Sequence, residues 1–531
     1  MAQARSGLTR LGLGAAAAVP LGFLAVFFAW PVAAIIGLGL GRTGVGKTLA
    51  DPATWDLVAF TLGQAAAATA VALLAGMPVA YLLARCQVRG RGFVRLAITI
   101  PFVLPTVVVG LAFRAVLGDA GALGIVLANA FFNVAVVART VGGLWAHLDR
   151  RAEDAARALG ASRWRTFLSV TLPALGPAIG SAAAVVFLFC STAFGVVLIL
   201  GGSRLRTLET EIYLRTVNLL DLSGAAALSL LQLAAVIAAL VIGAVARRRR
   251  EAQLKLRAAE ESLRRPRGGE WFVVAGAALV VLALLVPIFG LLLRSLSTAD
   301  GWSFDGYRAL ATGGTQGTLA VSGFEAALNS LRAAGDATLL ALVIGLLAAI
   351  VLSRVRRRGA GEALDLVLML PLGVSAVTVG FGYLVTMDAL PGDFRTSPLL
   401  VPLAQALVVT PLVVRLVLPV LRAVDDRLRQ AAATLGAGPF RVWREVDLPL
   451  ALRSMLAAAG FGFVVALGEF GATSFLARPE APTLPVAIAR LIARPGELNE
   501  AMAYAACTLL MVVTGLAVLV IEKLRVGTGE F

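Results

Sequence analysis

The sequence predicts an all-α membrane protein of about 12 transmembrane helices, written as two parallel six-helix repeats. Three observations carry this: the composition, the placement of the basic residues, and a repeated pattern. Of 531 residues, 59% are hydrophobic and only 15% are charged. Mean hydropathy is +0.88. Soluble domains carry about 25% charged residues, so lipid is the solvent this chain is written for. The net charge is +16, which in a soluble protein would point to nucleic acid. Here its position matters more than its size.

Twelve apolar blocks are long enough to cross a bilayer, which takes about 20 residues each. They lie near 15–40, 57–84, 93–117, 122–146, 175–200, 223–246, 271–296, 330–353, 363–387, 398–421, 450–476 and 499–521. The first follows Arg5 and Arg10 and has an apolar run longer than the 7–15 residues typical of a signal peptide. It is read as a retained span.

Basic residues assign the sides. With the N-terminus in the cytosol, the loops 1–14, 85–95, 149–166, 247–270, 354–358, 422–445 and 523–531 hold 31 of the 47 Lys and Arg. The outer loops hold ten, largely offset by acids. Both termini are therefore expected in the cytosol.

The chain divides into a first half, 1–246, a basic linker, 247–270, and a second half, 271–531. Ala155-Ala156, Leu159-Gly160, Leu172-Pro173, Phe194-Gly195 and Thr207-Leu208 recur 276 positions later as Ala431-Ala432, Leu435-Gly436, Leu448-Pro449, Phe470-Gly471 and Thr483-Leu484. Arg139 recurs as Arg415. Earlier landmarks follow slightly smaller offsets: Arg85 with Arg354, Pro101 with Pro371, Gly110 with Gly380. Six spans per half give both halves one orientation, and a translocation path is expected between them.

A patterned loop follows the fourth span of each half, at 153–173 and 429–449. The first begins Asp154-Ala155-Ala156 and closes on Val170-Thr171-Leu172-Pro173. The second begins Gln430-Ala431-Ala432 and closes on Val446-Asp447-Leu448-Pro449. Alanine favours a short helix, and Gly160 and Gly436 fit its left-handed cap. A second helix starts at Ser162 in one loop and Pro439 in the other. Trp164 and Phe167, matched by Phe440 and Trp443, suit insertion into a groove on a partner. Pro173 and Pro449 are expected to stop this helix before the next span.

These loops resemble the EAA loop of ABC importer permeases, Glu-Ala-Ala, three residues, Gly, nine residues, Ile, one residue, Leu-Pro. Asp154 and Gln430 stand where that pattern has Glu, and Val170 and Val446 where it has Ile. The resemblance implies a type I ABC importer permease fold in a bacterial inner membrane. It also implies that Asp154, Ala155, Ala156, Gly160, Trp164, Phe167 and Pro173, with Gln430, Ala431, Ala432, Gly436, Phe440, Trp443 and Pro449, form two coupling sites. Two copies of a cytosolic ATPase subunit would grip them, and a periplasmic or lipid-anchored binding protein would deliver the solute. Two halves fused in one chain resemble the permeases of thiamine and ferric-iron importers. Thr207-Leu208-Glu209-Thr210-Glu211-Ile212-Tyr213, Thr483-Leu484-Pro485 and Val520-Ile521-Glu522-Lys523-Leu524 lean toward thiamine or its phosphate esters. A twelve-span secondary carrier is the rival from another class, and it offers no reason for paired EAA loops.

Other signals admit competing readings. Gly41–Thr48 matches the phosphate-loop pattern, which works only between a strand and a helix; here it reads as a connecting loop, and ATP hydrolysis is expected on a separate subunit. Arg139 and Arg415, charged within the fourth spans, are either structural or part of a gate. Glu469, beside Phe470, is open to the same two readings, and its repeat partner is Ala193, beside Phe194. Segment 251–267 reads as a linker helix, with contact to membrane lipid an unsupported option. One His and three Cys have no metal-ligand or disulfide spacing. No metal, cofactor, catalytic residue or nucleic-acid partner is expected.

Overall fold

Where the chain runs apolar for 25 residues or so, the backbone has to satisfy its own hydrogen bonds, and in lipid that means helix. The computed structural model describes residues 14, 16–41, 44–202, 204–248, 263–298, 301–313, 319–355, 358–389 and 397–526. Most of the linker, with Arg42 and Arg395, lies outside them. Ten helices are long and apolar enough to cross a membrane, and two bent helix pairs bring the total to 12. The sole sheet among the described residues is a ribbon of Ser297–Thr298 with Gly301–Trp302.

Three expectations about the spans need correction. The blocks at 93–117 and 363–387 are not straight helices. Arg91–Val103 meets Thr106–Leu117 at 106°, and Gly361–Gly373 meets Ala376–Thr386 at 93°. In the first, Leu104 precedes Pro105 and is forced extended (ψ 136°). In the second no proline sits at the corner; Val374 is extended and Ser375 caps the new helix through the amides of Val377 and Thr378.

The blocks at 175–200 and 450–476 are shifted. Those spans run Arg163–Ser191 and Pro439–Leu467. Gly195–Leu200 and Thr473–Leu476 are separate short helices. Here Phe194-Gly195 and Phe470-Gly471 gain a packing reason. A Cβ on Gly195 would strike Thr106, and one on Gly471 would strike Ala376. Each glycine thus lets the chain press on the corner of the bent pair.

Pro173 and Pro449 do not stop the preceding helix, which continues through them. A wide turn at Phe167–Thr171, and its twin at Trp443–Asp447, precedes each proline. Leu172 donates five residues back to Phe167, and Leu448 to Trp443. Loosening the ladder there makes room for a ring whose nitrogen cannot donate.

Contacts divide the chain into two units. One comprises 47–211 and 231–304, the other 1–46, 212–230 and 305–531. The units therefore exchange first spans: the seventh span, Glu270–Ser295, packs with the first half, and the first span with the second half. Gly290 of the seventh span lies against Val116. In the other unit, a Cβ on Gly382 would come within 2.8 Å of Pro31 of the first span.

Close crossings hold each unit, as expected where lipid removes the hydrophobic drive between helices. A Cβ on Gly76 would meet Val137 at 2.6 Å, and one on Gly345 would meet Val413 at 2.7 Å. Such overpacking costs about 1–3 kcal/mol. Polar groups add a second layer. The Thr61 hydroxyl accepts from the amide of Leu208 at 3.0 Å, and Ser330 from Leu484 at 2.7 Å. These paired contacts repeat the sequence offsets in three dimensions.

Candidate functional site

Each patterned loop is a helix, a left-handed glycine, and a second helix that becomes a span. The first helices are Arg151–Ala158 and Asp426–Thr434. Gly160 has φ +87° and Gly436 φ +84°. Around them the bonds match: Gly160 N–H to Arg157 O and Ala161 N–H to Ala156 O, then Gly436 to Ala433 and Ala437 to Ala432, all 2.9–3.1 Å. This double bond satisfies helix-end carbonyls that would otherwise have no partner. Ser162 accepts from the amide of Arg165, and Pro439 occupies the first turn of its helix.

Large apolar side chains stand exposed on both loops. Leu159 is 90% exposed and Leu435 89%. Trp164 and Phe440 are 68% and 74% exposed. Trp164 stacks on Phe167 with centroids 5.8 Å apart, and Phe440 lies 6.0 Å from Trp443. Both pairs thus present a rigid aromatic ledge beside an uncovered leucine. Ala155, Ala431, Asp154 and Gln430 are exposed on the first helices, and Ala156 and Ala432 partly so.

Behind the ledges lies a feature that the sequence reading missed. In the first half, Glu153 accepts from Thr171 at 3.0 Å and lies 3.6 Å from Arg85. In the second, Asp447 pairs with Arg429 at 2.8 Å and with Arg354 at 3.0 Å. By the repeat, Glu153 corresponds to Arg429, Thr171 to Asp447, and Arg85 to Arg354. The carboxylate has changed sides of the pin, from the first helix to the start of the span. The sign reversal at Glu153 and Arg429 was the available signal.

Arg429 also bonds Leu421 O at 2.9 Å, satisfying the end of the fourth span of its half. Burial works against its charge, but hydrogen bonds and the charges of Asp447 and Asp426 hold its pKa above the usual value. In the first half the balance is opposite: burial, then the neighbouring Arg264, lowers the pKa of Arg150.

The other named residues lie apart from these loops. Arg139 donates to the Thr99 hydroxyl at 2.7 Å; Arg415 donates to the Met369 sulfur at 3.2 Å and lies 3.9 Å from Asp365. Both reach from the fourth span of their half to the first arm of the bent pair. Glu469 is buried and accepts from the amides of Ala472 and Thr473 at 2.7 and 3.1 Å and from the Thr473 hydroxyl. It therefore holds the start of the Thr473–Leu476 turn. Phe194 and Phe470 are buried. The Gly41–Thr48 pattern follows a helix, Trp30–Gly39, and not a strand.

Two six-span halves, each with a bent third span and a helix–glycine–helix loop, define a fused two-half permease of the ABC transporter class. The chain belongs to the family of binding-protein-dependent transport system inner membrane components, matched twice, over residues 72–251 and 341–524. It is 27% identical over 506 residues to the thiamine transport system permease protein of Brucella abortus (strain 2308), with 90% of each chain covered. To a probable ABC transporter permease protein of Sinorhizobium fredii it is 26% identical over 515 residues, covering 90% of this chain and 88% of that one. The molybdenum transport system permease protein of Escherichia coli (strain K12) is 36% identical over 216 residues, 38% of this chain and 93% of its own. The chain is thus a multi-pass inner-membrane transport subunit of the type I ABC permease fold. Its family works with an ABC ATPase and a substrate-binding protein.

Proposed function

We propose that this permease carries thiamine or its phosphate esters, with its two loops each gripped by one copy of a cytosolic ATPase subunit. The pair of exposed ledges, Leu159 with Trp164 and Leu435 with Phe440, carries the coupling part of this reading. Large apolar side chains left in water at two equivalent positions suit partner grooves. Phe167 and Trp443 stiffen the ledges, and Gly160, Gly436, Ala155, Ala156, Ala431 and Ala432 shape the helices that hold them. The continuous helix beyond Pro173 and Pro449 passes a push on the ledge straight into the fifth span of each half. Two-state transport follows if nucleotide and solute each prefer one state. The loops and both termini then lie in the cytosol, and 1–246 and 271–531 act as the functional halves. Arg139 and Arg415, tying the fourth span to the bent pair, act as gate supports; Glu469, Phe194 and Phe470 shape the path side of each half.

The thiamine part rests on the whole-length relative of that name and on the fused layout. The molybdenum permease, more similar over one half, favours an oxyanion as the second reading; ferric iron is the third. Uptake into proteoliposomes holding this chain, its ATPase and its cognate binding protein separates them. Thiamine uptake without molybdate or ferric-iron uptake is expected, and the reverse discards the thiamine reading. Trp164→Ala with Phe440→Ala is expected to abolish solute-stimulated ATPase and uptake together. Normal uptake in that variant would remove the docking role.

A further inference from the structure

Beneath the first loop lies a cavity of about 730 Å³, within one unit, walled by the second and fifth spans, the first loop and the start of the seventh span. Its lining holds five arginines, Arg85, Arg150, Arg157, Arg163 and Arg264, against two carboxylates, Glu153 and Glu270. Arg85 is 2% exposed. None of its three guanidinium nitrogens has a hydrogen-bond partner, although Glu153 lies 3.6 Å away. The Nε atoms of Arg150, Arg157 and Arg264 and the hydroxyl of Thr166 are also buried without a bond. An unsatisfied buried donor costs about 1–3 kcal/mol, more when charged. Guanidinium groups only donate, so what completes this wall must accept, and the excess of positive charge favours an anion. Phosphate oxygens do that, and bidentately.

The opposite end is apolar. Leu73, Leu74, Met77 and Ile179 line it. Leu74 is eleven residues from Arg85 on one helix, about 16 Å along the axis at 1.5 Å per residue. Leu74 is itself largely exposed, so this end opens toward the lipid. A long cavity, basic at the loop end and apolar toward the membrane interior, has the polarity of a phospholipid.

We propose that this cavity binds a phosphate-bearing anion, and that its occupant is an anionic phospholipid of the leaflet facing the loops. The headgroup phosphate lies among Arg85, Arg150 and Arg157, Arg264 being held by Glu270, and one acyl chain runs along Leu73, Met77 and Ile179. The corresponding arginine of the second half, Arg354, spends its charge on Asp447 at 3.0 Å. The site therefore belongs to the first half alone. A lipid there braces the first loop from behind, so its loading tunes the loop and not the solute.

The test uses the full chain purified in a neutral maltoside detergent. Native mass spectrometry of the unaltered protein is expected to show one retained phosphatidylglycerol that survives where phosphatidylcholine is stripped. Added phosphatidylglycerol is expected to raise the unfolding temperature, with phosphatidylcholine and inorganic phosphate giving little. Arg150→Gln with Arg157→Gln is expected to weaken the phosphatidylglycerol response about tenfold or more, as loss of charge-assisted bonds requires. Equal stabilisation by inorganic phosphate would overturn the lipid assignment. No selective retention of an anionic lipid, or a response unchanged by the substitutions, would overturn the site.

Discussion

The two loops share their helix–glycine–helix order, glycine dihedrals and ledge exposure, yet they are pinned by opposite charge arrangements. In the first half, Glu153 on the loop helix meets Thr171 and Arg85. In the second, Asp447 at the start of the span meets Arg429 and Arg354. The backbone geometry is common because it comes from glycine, proline and alanine at fixed spacing. The pin is free to invert, because a pin needs only one anion between two donors and is indifferent to which helix supplies it. The inversion leaves the second half with a closed network and the first with surplus guanidinium donors.

Asp447→Ala gives the largest expected effect. It removes an anion bonded to both Arg429 and Arg354. Arg354 is half-exposed and Arg429 keeps Asp426, so the cost lies toward the lower end of the range for a fully buried pair, about 3–5 kcal/mol. Thermal unfolding in detergent should fall more than for Thr171→Ala, which loses a single hydrogen bond to a carboxylate, worth about 1.5–3 kcal/mol. Equal losses would mean that the two pins are not inverted equivalents.

Glu153→Arg comes next. Alone it removes the carboxylate 3.6 Å from Arg85 and is expected to destabilise strongly. Combined with Thr171→Asp, it writes the second-half arrangement into the first and should recover most of the loss. A double-mutant cycle measures that recovery as the coupling between the two sites, and no coupling would break the comparison.

Smaller again are Gly160→Ala and Gly436→Ala. Nothing lies within 4 Å of a Cβ at either, so the penalty is the left-handed backbone alone, about 1–2 kcal/mol. The two unfolding shifts should agree. Leu159→Glu and Leu435→Glu are expected to leave stability unchanged, since both side chains already face water. Co-purification of the ATPase should weaken in each, and undiminished capture would place the ATPase elsewhere.

Much of this was readable from residue spacing. Period and composition placed twelve apolar blocks, and Gly160, Gly436, Ser162 and Pro439 marked the loop geometry correctly. What escaped was decided by few residues or by contacts distant in sequence. The corner at Val374 depends on two dihedrals and a serine cap inside an unbroken apolar run. Continuity through Pro173 depends on a turn one residue wider than usual, invisible to any propensity. The inverted pin joins Arg354 to Asp447 across 93 positions, and only the repeat aligned them.

The exchange of first spans bears on synthesis. A ribosome that has finished the first six spans has not made the helix that packs Gly290 against Val116, and the first span waits in the membrane for the ninth. The unit that takes the seventh span is complete only at residue 304, past the midpoint, and the other only when the later spans of the second half are made. The first unit therefore closes only after the chain has passed the linker, and a chain cut at the linker would leave an open groove where the seventh span belongs.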